Sequence, residues 1–245
     1  MPEGPEPVDW TGKALDCSAC RFHDRLESGH CGLGWSCLND RYGKRIERFF
    51  TLNPELADEN LRHPYFETRV QAARMASVFR LPRLLADEDP AVRGMAVLRL
   101  PAAHAERLMA DPDRAVRIAV AHRLPPGGLL PMLHDQDGHV RLIVARRAES
   151  GLLPMLCADP DPEVRAEVAR RIDPAFLDRF RTDPEPLVRR VAARRRPALF
   201  VTDDDLRVRH TVAEEGGRAE LRRLVSDPEA IIRETAIQRL AQMKE

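Results

Sequence analysis

A seven-residue phrase, Asp111-Pro-Asp-Arg-Ala-Val116-Arg117, recurs along the chain and limits its fold more than any other feature. It returns as Asp159-Pro-Asp-Pro-Glu-Val164-Arg165, as Asp183-Pro-Glu-Pro-Leu-Val188-Arg189 and as Asp227-Pro-Glu-Ala-Ile-Ile232-Arg233. Weaker copies begin at His63, Asp87, Asp135 and Asp203. The step is 24 residues from Asp87 to Asp183, 20 from there to Asp203, and 24 again to Asp227. The deletion falls near Arg196–Thr202. A fixed period in this range specifies a solenoid, in which each repeat buries its apolar face against its neighbours.

The content of one repeat predicts its local structure. Asp111 is a good N-cap, and Pro112 suits the first helical position, where its missing N–H needs no partner. Val116, Val120 and Leu124 follow at i, i+4 and i+8 and form one apolar stripe of a helix of about three turns. Pro125, Pro126, Gly127 and Gly128 end it. The residues left over leave room for only one tight helical turn of 3₁₀ type, because two full helices need a longer repeat. Leu84, Leu108, Met132, Leu156, Phe180, Phe200 and Leu224 recur at one register position and form a core column. Cys157 lies in the adjacent column and reads as a small buried hydrophobe.

Two rows of arginine follow the same register. Arg69, Arg93, Arg117, Arg141, Arg165, Arg189, Arg209 and Arg233 come directly after the first core residue. At about 100° per residue this position lies inside the apolar arc, where a charge must be paired. The Asp row, repeating in the same register, supplies the partners, so the expectation is an Asp–Arg ladder. The second row (Arg99, Arg123, Arg147, Arg171, Arg195 and Arg239) sits at the edge of the stripe. Its first five members are the candidate partner-binding residues. A row of guanidinium groups also suits phosphates.

Four of the five cysteines fall outside the array, as Cys17-x-x-Cys20, Cys31 and Cys37. A Cys-x-x-Cys pair presents two thiolates to one centre, and Gly29, Gly32 and Gly34 allow close approach and unusual dihedrals around Cys31. Four thiolates complete either a tetrahedral Zn²⁺ site or a [4Fe–4S] cluster, and the uneven gaps leave both open. His23 and His30 are alternative ligands, but four thiolates suffice. The first ten residues, acidic and Pro-rich without an apolar core, do not read as a secretory signal, and no stretch is long and apolar enough to span a bilayer. The expected setting is therefore cytoplasmic, where ligation prevails over disulfides.

The cysteine pattern, together with the repeated Asp-Pro-Asp…Val-Arg…Val-Ala…Arg-Leu-Pro, resembles the leucine-rich repeat variant family over essentially the whole chain. The resemblance implies an all-α, right-handed superhelical solenoid of alternating α- and 3₁₀-helices without a β-sheet. It also implies a small N-terminal domain holding a [4Fe–4S] cluster through Cys17, Cys20, Cys31 and Cys37, and so favours the cluster over zinc. The division expected is residues 1–45 for the cluster domain and 46–245 for about eight repeats.

No Ser-His-Asp pattern, phosphate loop, HExxH or paired carboxylate motif is present, so the chain does not read as an enzyme. With 39 basic and 39 acidic side chains, net charge calls for neither nucleic acid nor membrane. The expected function is a scaffold binding another macromolecule, in the first place a protein, with the cluster as structural cap or as a redox or iron sensor. Electron transfer, nucleic-acid binding and a zinc-binding repeat protein are the alternatives.

Overall fold

The computed structural model describes residues 4–243. Among them the α-helices are α1 (His23–Glu27), α2 (Gly43–Leu52), α3 (Phe66–Met75), α4 (Pro90–Arg99), α5 (Ala102–Ala105) and α6 (Arg114–Arg123). They continue with α7 (Gly138–Arg147), α8 (Pro162–Arg171), α9 (Pro186–Arg195), α10 (Leu206–Glu215), α11 (Arg218–Leu224) and α12 (Ala230–Gln242). Segments of 3₁₀-helix such as Val78–Ala86, Pro126–Met132, Ser150–Leu156 and Pro174–Phe180 alternate with them. No strand forms among the described residues. The β-structure there is two isolated antiparallel bridges, Val8 with Ala14 and Gly32 with Ser36.

The chain divides into two compact units, Met1–Leu124 and Pro125–Glu245. In the first, α2 packs on α3, α3 on α4 and α4 on α6; in the second, α7 packs on α8, α8 on α9, α9 on α10 and α10 on α12. The boundary expected after residue 45 falls inside α2. The cysteine segment and the first repeats belong to one unit, because that segment packs its Phe22 against Phe49 of α2 (ring centroids 5.3 Å apart).

The repeat stripes form the core. Val92, Val116, Val140, Val164, Val188, Val208 and Ile232 are all fully buried, as are Val120, Val144, Val168 and Val212 one turn on. The first repeat carries Thr68 at the Val position, also fully buried, where its hydroxyl donates to the Leu38 carbonyl (3.2 Å). Its departure from the pattern thus ties α3 to the cysteine segment. Two helical connectors depart from 3₁₀ geometry: α5 leads into Glu106–Leu108, and α11 replaces the 3₁₀ segment outright. In the 20-residue repeat the connector shrinks to Pro197–Leu199. Cys157 is half-buried rather than fully buried, and its thiol points at the Leu153 carbonyl (3.9 Å).

The helix starts correct one expectation. The N-cap of α6 is Asp113, not Asp111, and its carboxylate accepts the Ala115 N–H. Asp89, Asp137, Asp161 and Asp205 cap their helices in the same way, and Pro90 and Pro162 occupy the position just after the cap. The shift of two residues has a physical reason: the earlier Asp is committed elsewhere. Asp111 accepts the Asp113 N–H (2.9 Å) and the two-pronged donation of an arginine.

That donation is the expected ladder, and it runs between consecutive repeats. In the first unit Arg69 bonds both oxygens of Asp87 through Nε and Nη2 (3.0 and 2.8 Å), and Arg93 does the same to Asp111. In the second, Arg141 serves Asp159, Arg165 serves Asp183, Arg189 serves Asp203 and Arg209 serves Asp227. Nη1 turns back on its own repeat, as Arg165 does to the Asp159 and Pro160 carbonyls. Hydrogen bonding to its Asp raises the Arg141 pKa above the ordinary arginine value. Such bidentate bonds satisfy a guanidinium that the helical wheel places in the core. In the first repeat His63 stands where later repeats have Asp, and its Nδ1 accepts the Tyr65 N–H (3.1 Å) as those carboxylates accept theirs.

Candidate metal centre

The cysteine segment folds as a turn, one short helix and a glycine-rich loop. The Cys20 N–H donates to the Cys17 carbonyl (3.4 Å), closing the Cys-x-x-Cys turn, and His23 Nδ1–H donates to the same carbonyl (2.9 Å). His23 thereby braces the turn. Helix α1 then carries the chain to a second turn, in which the His30 and Cys31 N–H groups both donate to the Arg25 carbonyl (2.8 and 3.1 Å). Gly29 and Gly34 adopt φ of 72° and 77°, the left-handed region that glycine enters freely. Gly32 answers a different need: a Cβ there would lie 2.1 Å from Trp35 Nε1.

Polar groups aim at the sulfurs. The Phe22 N–H lies 3.5 Å from Cys20 Sγ, and the Asn39 side-chain amide lies 3.7 Å from the same sulfur. Burial pushes the Cys37 thiol up to about 12, against a backbone hydrogen bond from Asn39 that lowers it. Asp40, Cys31 and Cys20 add to the rise. Burial also raises Cys31, followed by the charges of Cys20 and Cys17, and raises Cys17, followed by Cys20 and Asp16. The four thiols therefore form one electrostatically coupled group, each of them partly buried. Among the described residues, no three His, Cys, Asp or Glu side chains converge within reach of a single metal ion.

The group is held to the repeats from several sides. The Cys37 N–H donates to the Arg45 carbonyl (3.2 Å) at the start of α2. Arg45 and Asp40 form an ion pair of 2.9 Å that is almost wholly buried, and Arg45 Nη2 reaches the Pro5 carbonyl. Arg48 donates to the Trp35 carbonyl, Asn53 to the His30 carbonyl, and Arg21 to Asn60 Oδ1 (2.7 Å). The cysteine pattern gives no hint of Asn39, Asp40 or Arg45. The only sequence signal was their position just after Cys37.

The second arginine row has a job inside the fold. Arg171 donates to the carbonyls of Ala145 and Ala148 at the C-terminus of α7, and Arg195 donates to those of Ala169 and Ile172 at the end of α8. Arg99 reaches Ala73, Arg74 and Ala76 at the end of α3, and Arg123 reaches Leu100 at the end of α4. Arg239 repeats the pattern on Ala213 and Gly216. A cation there satisfies carbonyls that lack an intrahelical partner and faces the negative end of the helix dipole. Arg147 has an interaction partner as well.

The family described as LRV protein FeS4 cluster matches residues 7–59, and the one described as leucine rich repeat variant matches residues 114–137 and 138–161. An uncharacterized 27.7 kDa protein in the nifB 3′ region of Rhodobacter capsulatus is 91% identical over 106 residues. That match spans 43% of this chain and 43% of the relative's length. A solved structure described as a leucine-rich repeat variant with a novel repetitive protein structural motif is 37% identical, with a TM-score of 0.85. It is matched over 92% of this chain and 98% of its own. With its alternating α- and 3₁₀-helices and its N-terminal FeS4-cluster region, the chain belongs to the leucine-rich repeat variant family.

Proposed function

We propose that Cys17, Cys20, Cys31 and Cys37 ligate a [4Fe–4S] cluster, and that the repeats form a scaffold for another protein whose binding depends on the state of that cluster. The observation carrying the proposal is the frame that holds the cysteines: the Cys17–Cys20 turn, the Asn39 amide on Cys20 Sγ, and the hold on α2 through Cys37 and Asp40. The FeS4-cluster family match over residues 7–59 spans all four cysteines, which favours a cluster over zinc. Bound there, a [4Fe–4S] cluster supplies one-electron chemistry and a rigid four-point crosslink. Its loss would release the turns that hold the segment on α2, which is how a cap becomes a sensor. The reading places the chain in a reducing cytoplasm. A protein is favoured over nucleic acid as partner because both arginine rows spend their donors on carboxylates and carbonyls of the fold.

The partial exposure of all four cysteines favours a second reading, one-electron transfer to a docked protein. Anaerobic purification with iron, sulfide and zinc analysis, followed by spectra before and after dithionite, tests both. Iron and sulfide in equal amounts, lost in each Cys→Ser variant, support the ligand set; zinc without iron would overturn it. A cluster that decomposes on reduction would leave the sensor and remove the carrier.

A further inference from the structure

The α9–α10 face of the second unit breaks the charge pattern of its neighbours. Arg146 of α7 and Arg170 of α8 share one helical position, and both pair with Glu167. Arg194 occupies that position in α9, but the place of Glu167 is taken by Val191 in α9 and by Thr211 in α10. One turn earlier, α7 and α8 carry Leu142 and Ala166, whereas α9 carries Arg190. Arg190 Nε is buried and has no hydrogen-bond partner. That N–H is shielded by the protein's own atoms, so Arg190 can offer a partner only the outer part of its guanidinium.

Two adjoining clefts, of 190 and 380 Å³, meet at Arg190 and Arg207. Arg194 and His210 line the larger one, and Arg207 is half committed to Asp205 (2.7 Å). Leu187 and Leu206, each 47% exposed, flank the arginines. Acidic residues also line the groove, Glu185 in the smaller cleft and Glu214 in the larger.

We infer that this groove docks one carboxylate side chain of a protein partner, held by Arg190 and Arg194 and flanked by apolar residues that rest on Leu187 and Leu206. The inference rests on the scaffold reading above and names a place and chemistry for its partner. A guanidinium pair recognises a planar carboxylate by parallel N–H donation. Glu185 and Glu214 select against a longer anion, because a phosphodiester track would set further negative charges beside them at a repulsive cost. The half-exposed leucines call for apolar neighbours in the partner, which a nucleic-acid backbone does not offer.

The test uses the full chain, ¹⁵N-labelled, with the arginine Nε–H resonances followed by NMR. The probe is the peptide acetyl-Leu-Glu-Leu-amide, with acetyl-Leu-Gln-Leu-amide and a single-stranded oligothymidine as the other arms. The Glu peptide is expected to shift the Arg190 signal saturably and to bind at least about tenfold more tightly than the Gln peptide. R190Q and R194Q are each expected to weaken it about tenfold. Both side chains lie outside the apolar stripe, so circular dichroism should report an unchanged fold; L187A is expected to weaken the peptide without removing any charge. Equal response to the two peptides, tighter binding of oligothymidine at these arginines, or an unchanged affinity in R190Q and R194Q would each overturn the inference. The scaffold reading stands separately: a protein partner retained equally by wild type and by R190Q/R194Q would remove this site and keep the scaffold.

Discussion

Replacing both Asp159 and its arginine should cost far less than the sum of the two single replacements. Asp159 is 3% exposed at its side chain and accepts three hydrogen bonds: from Arg141 Nε (2.8 Å), Arg141 Nη2 (3.0 Å) and the Asp161 N–H (2.9 Å). An Asn keeps one oxygen, enough for the Asp161 N–H, and turns its amide donors toward a guanidinium that also only donates. Two charge-assisted bonds are lost, at about 1.5–3 kcal/mol each. That sum agrees with the roughly 3–5 kcal/mol seen when one partner of a buried pair is removed. R141M alone strands the carboxylate and should cost a similar amount. The double variant R141M/D159N buries no charge. Its residual costs are the Asp135 carbonyl, which loses the Arg141 Nη1 bond (2.7 Å) as it does in R141M, and the unpaired amide N–H groups at position 159, at about 1–3 kcal/mol each.

The coupling between the two positions should therefore exceed about 3 kcal/mol. Urea unfolding followed by far-UV circular dichroism measures it, provided the m value stays constant across the four proteins. Hydrogen exchange in α7 and α8 supplies a local check, since a solenoid couples mainly nearest neighbours. A double variant whose cost equals the sum of the singles would refute the reasoning, because it would mean that Arg141 and Asp159 stabilise the fold independently.

Four other outcomes follow from the geometry. For Asp111 and Asp227, burial pulls the pKa up, but the hydrogen bonds from Arg93 and Arg209 and from the Asp113 and Glu229 N–H groups outweigh it and hold both carboxyls below the ordinary carboxylate value. Their stabilisation is present above the ordinary carboxyl value and lost as pH falls through the lower folded one, so their share of the urea midpoint should be lost below about pH 4; a midpoint unchanged between pH 4 and pH 3 would contradict this. R171M should cost about 1–2 kcal/mol in thermal unfolding through the freed Ala145 and Ala148 carbonyls, where a solvent-facing arginine would cost nothing. G34A should lose about 1–2 kcal/mol at its φ of 77° and shed cluster faster, whereas G94A, in open space within α4, should gain about 0.5–1 kcal/mol. N39L should retain iron and sulfide but shift the cluster potential to more negative values, since the amide N–H favours the more anionic reduced state; an unchanged potential by redox titration would exclude that role.

The period, the apolar stripe and the burial of the first arginine row were legible in the sequence because each follows from local geometry. Arg117 lies within the arc of Val116 and Val120 whatever its neighbours are, and it is indeed buried. The helix register was not legible in the same way. Asp-Pro-Asp offers two good caps, and the choice is made by an arginine 18 residues upstream that claims the first carboxylate. The fate of the second row was hidden for a similar reason, since Arg171 is defined by carbonyls 23 and 26 residues earlier. At the cysteines, the glycines announced the loop, but Asn39 and the Asp40–Arg45 pair emerge only when the chain folds back on α2.

This division has a consequence for where recognition resides in such a chain. A position that repeats is under the same structural demand in every repeat, and here that demand consumes its polar groups: ladder carboxylates, ladder guanidiniums and helix-end carbonyls all satisfy one another. Chemistry for a partner must then come from positions where the pattern fails. Thr68 and His63 fail it at the junction with the cysteine segment, and each is engaged by that junction. Arg190 fails it on α9, where Arg194 keeps its place but lacks the glutamate that pairs Arg146 and Arg170, and nothing within the fold engages Arg190 Nε. A departure that the fold explains is a joint; one that lines an open cleft without a partner in the fold is where another protein has room to bind.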